Sequence, residues 1–188
     1  MAQQAQNRGK LVVISGPSGV GKSTICREVV KRMDAHLSVS ATTRTRSPQE
    51  TDGVDYWFIS RDEFLERVRK NEFLEHAEVF GNFYGTPRDK VEQALIAGKT
   101  VILEIDVQGG TQVRQHYQDV ILIFILPPNL DDLVKRISGR ARDSAEVAQR
   151  RLEAAQREIT AARQLYKYTV VNDDLEKAIN EVTEIIKQ

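Results

Sequence analysis

Apolar residues gather in short runs: LVVI at 11–14, VILEI at 101–105, ILIFIL at 121–126 and YTVV at 168–171. A strand covered by helices on both faces has no polar side to present, so such runs predict a central parallel sheet. Between them the spacing turns helical. Thr24–Met33 carries Ile25, Val29 and Val30 at helical spacing, and Leu175, Ala178, Ile179, Val182, Ile185 and Ile186 form a stripe that should pack on the sheet. Ser60 with Glu63, and Asp143 with Glu146, have the spacing at which a cap side chain and a following carboxylate satisfy free backbone N–H groups, and so mark further helix starts. The expectation is an α/β fold.

Two segments interrupt the alternation. Residues 37–86 hold short alternating runs (SVSATT, YWFI, EFLEHAEVF) with turn signals at Asp52-Gly53 and Gly81-Asn82, which predicts a small antiparallel insertion with Trp57, Phe58 and Phe80 in its core. Residues 127–151 open with Pro127-Pro128-Asn129 and set arginines at 136, 140, 142, 150 and 151 around a short polar loop, the pattern of a helical lid. The core is then left to residues 10–36, 87–126 and 152–188, all within one domain.

Charge changes this picture by exclusion. Across 188 residues, 27 Lys and Arg balance 27 Asp and Glu, so no blanket basic field exists to hold nucleic acid or an anionic membrane. The chain has one cysteine, Cys26, read as a small core residue, and three widely spaced histidines, which exclude an internal disulfide and a multi-cysteine metal cage. No apolar run approaches the roughly 20 residues that span a bilayer. The working class is a soluble cytoplasmic protein, with monomer and homo-oligomer both open.

The strongest chemical signal is Gly16-Pro17-Ser18-Gly19-Val20-Gly21-Lys22-Ser23-Thr24, which follows an apolar strand and opens a helix. Its glycines let the backbone turn tightly with N–H groups inward, cradling a polyphosphate at the positive end of the helix. Lys22 would reach the β- and γ-phosphates, and the Ser23 hydroxyl would ligate Mg²⁺. This motif names a nucleotide, not a reaction. If the acceptor is a second nucleotide, arginines from several segments must offset the repulsion, and Arg44, Arg136, Arg140 and Arg151 are candidates. A guanine edge offers two N–H donors and one acceptor; Glu75 beside Ser40 is a pair able to read it, although composition alone does not select these two residues.

With GPSGVGKST (16–24), SVSATTR (38–44), FLEHAEVFGNFYGT (73–86), VILEIDVQG (101–109), IFILPP (123–128) and VVNDDL (170–175) in order, the sequence resembles the guanylate kinases of the nucleoside monophosphate kinase group from about residue 10 onward. The resemblance implies a P-loop NTPase-type five-stranded parallel sheet flanked by helices, a small mixed α/β GMP-binding insertion and a lid closing over ATP. It implies Mg²⁺-dependent transfer from ATP to GMP. Ser40, Glu75 and Asp106 are expected at the guanine; Arg44, Tyr56 and Tyr84 at the GMP phosphate, with Thr86, Arg46, Glu50 and Glu104 in the same site; and Arg136, Arg140 and Arg151 near the transferring group. Asn172 is expected beside the adenine.

The sequence departs from that pattern twice. Ser47 stands where a second phosphate-binding arginine is expected, so either Arg46 reaches in through a shifted loop or GMP loses a charge-assisted contact. Glu104 stands where many members have aspartate. Scaffold relatives that bind peptides lack an intact phosphate loop, whereas Lys22 and Ser23 are present here.

Overall fold

A computed structural model of the protein describes residues 8–79, 81–129, 132–133 and 145–188, without the side chains at 145–148, 150 and 151. In chain order the elements are β1 (Leu11–Ser15), α1 (Lys22–Met33), β2 (His36–Leu37), β3 (Ala41–Thr42), β4 (Trp57–Phe58), α2 (Arg61–Arg69), β5 (Phe73–Val79) and β6 (Asn82–Pro87). There follow α3 (Arg88–Ile96), β7 (Val101–Glu104), α4 (Val107–His116), β8 (Ile121–Leu126), α5 (Ala145–Leu165), β9 (Tyr168–Val171) and α6 (Leu175–Lys187).

The main sheet runs β2-β7-β1-β8-β9, and its strands pair in parallel throughout. Four of them are the apolar runs of the sequence. The fifth, β2, left no apolar signature: only His36 and Leu37 pair, with Val101 and Ile102, and both are half-buried. Val12 and Ile14 of β1 pack on one side with Ile25 and Val29 of α1 and with Ile179 and Val182 of α6. Leu11 and Val13 pack on the other with Val113 of α4, Ala162 of α5 and Tyr166 just beyond its end. Each such buried Val or Ile contributes about 1.5–3 kcal/mol, so a two-faced core explains why β1 tolerates no polar side chain before Ser15. Cys26 is part of that core, fully buried, with its thiol pushed up out of the reactive range by burial. In α6, Leu175 departs from the expected stripe, lying 43% exposed at the first position after the Asp174 cap, whose side chain accepts from Lys177 N–H.

Two boundaries correct the sequence reading in a way that bears on chemistry. α1 starts at Lys22 rather than Thr24, because Gly21 itself is the N-cap, with φ 100°. The end of the phosphate-type motif is therefore the first turn of the helix, whose N–H groups have no partner within the helix. β7 likewise stops at Glu104, one residue short of the apolar run.

The second sheet, β4-β3-β6-β5, is mixed rather than antiparallel: β3 and β4 are parallel, whereas β3–β6 and β5–β6 are antiparallel. The Asp52-Gly53 signal closes a local turn, with Gly53 N–H donating to Tyr56 O, and does not join a hairpin. Phe64, Phe73 and Ala41 form this sheet's core, and Ser60 caps α2 by accepting from Glu63 N–H as its spacing predicted. Trp57 is 36% exposed and lies against Gly53, so it is not the core residue it was expected to be. Phe80 and the Asp143 cap lie outside the described residues. α4 packs against β5 of this sheet, β1 of the other, and α5.

Candidate active site

The loop between β1 and α1 borders a cleft of about 510 Å³ lined by Gly16, Ser18, Gly19, Gly21, Lys22, Ser23 and Thr24, and closed opposite by Glu104, Asp106 and Glu158. Two members of the motif serve the loop from beneath. Val20 is fully buried in the core, and its carbonyl accepts from Asn172 Nδ2 at 2.8 Å; the Pro17 carbonyl accepts from Val20 N–H. Asn172, at the end of β9, is only 6% exposed and lies so close that a Cβ at Gly21 would come within 2.6 Å of its amide. It thus braces the loop from the sheet side. Gly21 also has a φ that L side chains rarely adopt, so glycine is required there twice over.

Lys22 folds back onto its own loop, donating to the Gly16 and Pro17 carbonyls. Burial pulls its pKa down, and Glu104 and Glu158 oppose that fall. A cation held by weak carbonyl acceptors, with its charge incompletely offset, is poised to accept an anion of higher charge. Ser23 Oγ donates to Glu104 Oε1 at 2.6 Å, which puts two hard oxygen donors at the mouth of the loop.

Glu158 was not singled out by the sequence. It sits midway along α5, where a carboxylate reads as one more polar position of a charged helix, yet it lines the cleft and its pKa is pushed to about 7, chiefly by burial. Asp106 adds to that rise and Lys22 counters it.

A second recess of about 280 Å³ adjoins the first, lined by Ser40, Tyr56, Glu75, Ala77, Val79, Tyr84, Glu104, Ile105 and Asp106. It brings together side chains from β5, β6, the turns around β3 and β4, and the β7–α4 junction. Glu75 is 6% exposed; its Oε1 accepts from Thr86 Oγ1 at 2.6 Å, and its pKa is raised to about 7, mainly by burial. Thr86 itself is buried behind Glu75 and lines no part of this recess. Asp106 caps α4 by accepting from Gly109 N–H at 2.8 Å.

A third cleft, of about 440 Å³, connects Ser23 and Arg27 of α1 with Ser40, Glu50, Asp55 and Tyr56, and again reaches Glu104. Arg44 lies over the Tyr56 and Phe58 rings and forks onto Glu50, with contacts of 3.0 and 2.6 Å. That pairing raises the Arg44 pKa and lowers that of Glu50. The rings of Tyr56 and Tyr84 meet edge to face at 5.9 Å. Ser47 contributes its backbone, donating N–H to Glu50 Oε2 at 2.8 Å, while Arg46 is exposed and lines none of the three clefts. Arg136 and Arg140 lie outside the described residues, as does the Arg151 side chain.

Glu104 is common to all three clefts, and Asp106 to two. The arrangement is thus a loop of main-chain donors facing a carboxylate ridge, beyond which lies a pocket with a buried carboxyl at its base. That is what transfer between two phosphate-bearing molecules requires: donor and acceptor sites that share a wall.

Comparison with known proteins agrees with the geometry. The guanylate kinase family model matches residues 8–188. The chain is 48% identical over 181 residues to a guanylate kinase of Clostridium perfringens, covering 96% of this chain and 83% of that one. It is 47% identical over 183 residues to a guanylate kinase of Streptococcus pneumoniae, covering 96% and 88%. The crystal structure of guanylate kinase from Anaplasma phagocytophilum superposes with a TM-score of 0.79 at 33% identity, over 97% of this chain and 86% of that chain. The expected parallel five-stranded sheet flanked by helices is present, and with sequence, fold and site in agreement the chain belongs to the guanylate kinase family.

Proposed function

We infer that this protein transfers the γ-phosphoryl group of ATP to GMP, giving ADP and GDP. The observation that carries the reading is the shared wall: Glu104 and Asp106 border both the phosphate-loop cleft and the Glu75 recess, so nucleotides in the two spaces meet end to end. ATP would lie with its polyphosphate on the loop N–H groups and Lys22, and GMP with its base toward Glu75, Ser40 and Asp106 and its phosphate toward Arg44, Tyr56 and Tyr84. Arg46 is exposed, which favours Ser47 N–H and Glu50 as the remaining organisers of that turn.

Two carboxylates at a junction of two polyanions would favour a divalent cation there. The Ser23 hydroxyl and Glu104 carboxylate are hard oxygen donors suited to Mg²⁺. When bound, Mg²⁺ would neutralise developing charge on the phosphates. The chain's own task is to position and to screen: Lys22, Arg44 and the arginines at 136, 140 and 151 offset the remaining repulsion, with no covalent enzyme intermediate. We assign acceptor binding to residues 37–86 and donor covering to 127–151, extend the acceptor range to dGMP, and propose a cytoplasmic location; no helix among the described residues is long and apolar enough to cross a membrane.

A coupled assay of ADP release with GMP, dGMP, AMP, CMP and UMP tests this. Turnover is expected with GMP and dGMP alone. Equal turnover with AMP, or none with GMP, would sink the reading.

A further inference from the structure

The base-reading carboxyl sits on an irregular strand. Across β5 and β6 the register runs from Phe73↔Pro87 to His76↔Gly85, so three steps on β5 face two on β6, and Glu75 lies within that bulge. Bulges re-aim side chains at the cost of local ladder hydrogen bonds, so the carboxyl's position there is less firmly fixed by the sheet itself. β5 is also an edge strand, with outward main-chain groups that need partners.

Those partners come from α4. Gln112 Nε2 donates to His76 O at 3.1 Å, and His76 N–H donates to Gln112 Oε1 at 3.1 Å, so one side-chain amide closes both polar groups of the residue next to Glu75. One turn earlier on the same helix, Gly109 faces Glu75 Oε2, where a Cβ would stand 2.9 Å away, and Gly109 N–H is held by the Asp106 cap. Helix α4 thus grips the bulge at one point and confronts its carboxyl at another.

We propose that Gln112 is a positioning residue for base selection, its amide clamping the β5 main chain so that the neighbouring carboxyl meets the guanine N1–H and 2-amino donors at fixed distance. The proposal rests on the reading of Glu75 as the base-contacting group. Gln112 lines none of the three clefts and touches no substrate; it acts through the strand.

The test compares kcat/KM for GMP with that for inosine monophosphate, which lacks the 2-amino group. Gln112→Met keeps length and helix propensity but removes the amide. It should raise KM for GMP roughly fivefold to tenfold and narrow the preference for GMP over inosine monophosphate, with KM for ATP unchanged. Gln112→Glu keeps the acceptor for His76 N–H, loses the donor, and should shift both readouts in the same direction; it carries the test if the methionine variant loses its cooperative melt. Glu75→Gln separates the two ideas. If Glu75→Gln narrows the preference and the Gln112 variants leave it at the parental value, the clamp is refuted while the Glu75 reading stands. If Glu75→Gln itself leaves the preference intact, the reading of Glu75 fails and the clamp falls with it.

Discussion

The two ends of the active cleft are built on opposite plans. At the donor end, one continuous stretch of nine residues supplies the phosphate-loop wall of the cleft, mostly through main-chain groups, and its side-chain partners, Glu104 at the end of β7 and Asn172 just after β9, brace it. At the acceptor end no two adjacent residues suffice: Ser40, Tyr56, Glu75, Tyr84 and Asp106 arrive from separate elements and work through side chains. A site made of main chain depends on backbone conformation and fails abruptly. A site made of side chains from several elements depends on how those elements are held together, and fails by degrees.

That contrast can be broken at several points. Lys22→Met removes the cation from the donor cleft and should lower kcat by about 10²–10³, as loss of one charge-stabilising donor does elsewhere, with little change in the melt; stopped-flow turnover at saturating substrate is the measurement. A residual rate above a tenth of the parent would show that Lys22 carries less than this reading gives it.

The same methyl group placed at two glycines should act differently. Gly21→Ala must adopt a left-handed backbone and meet the Asn172 amide at 2.6 Å, which costs about 1–3 kcal/mol and should abolish ATP binding by calorimetry. Gly109→Ala sits in ordinary helical backbone, gains roughly 0.5–1 kcal/mol of helix propensity, and pushes on the Glu75 carboxyl and on the end of the Ile105 side chain. It should weaken GMP several-fold and leave ATP binding intact. Equal effects of both variants on ATP would mean that the two ends are one mechanical unit.

The acceptor end should also show a pH dependence. The Glu75 pKa of about 7 in the folded chain stands above the ordinary carboxylate value of 4.5, so between these values the native state binds more protons than the unfolded one. Its contribution to stability is therefore present at low pH and lost as pH rises through about 7. Glu75→Gln, which stays neutral, should look more stable relative to the parent at pH 8 than at pH 5, by roughly 1–3 kcal/mol. Affinity for GMP should move the other way, rising with pH in the parent as the carboxyl ionises, and the rise should be smaller in the variant, where only ionisation of the GMP phosphate remains. Parallel melts and binding isotherms at the two pH values decide it.

How much could be read in advance follows the same division. The apolar runs at 11–14, 101–105, 121–126 and 168–171 gave four strands of the sheet: the first three are largely buried on both faces and cannot hide their composition, whereas the edge strand β9 leaves Thr169 and Val171 exposed. The nine-residue motif gave the donor loop, because its function lies in backbone geometry that only a local glycine pattern permits. The two-residue β2, the parallel pairing of β3 with β4 and the exposure of Trp57 were not legible: short, half-exposed strands take their partners from the tertiary fold.

Sequence alone therefore determined the fold class, four strands of a parallel sheet and the phosphate loop, each legible in the composition and spacing of a short stretch of chain; the order of the strands came from pairing between segments about 90 residues apart. The tertiary structure decided the rest. It placed Glu158 of α5 across from Lys22, turned Thr86 toward Glu75 and set Gln112 against the β5 main chain, because burial, charge proximity and hydrogen-bond pairing between distant segments exist only after the elements have packed.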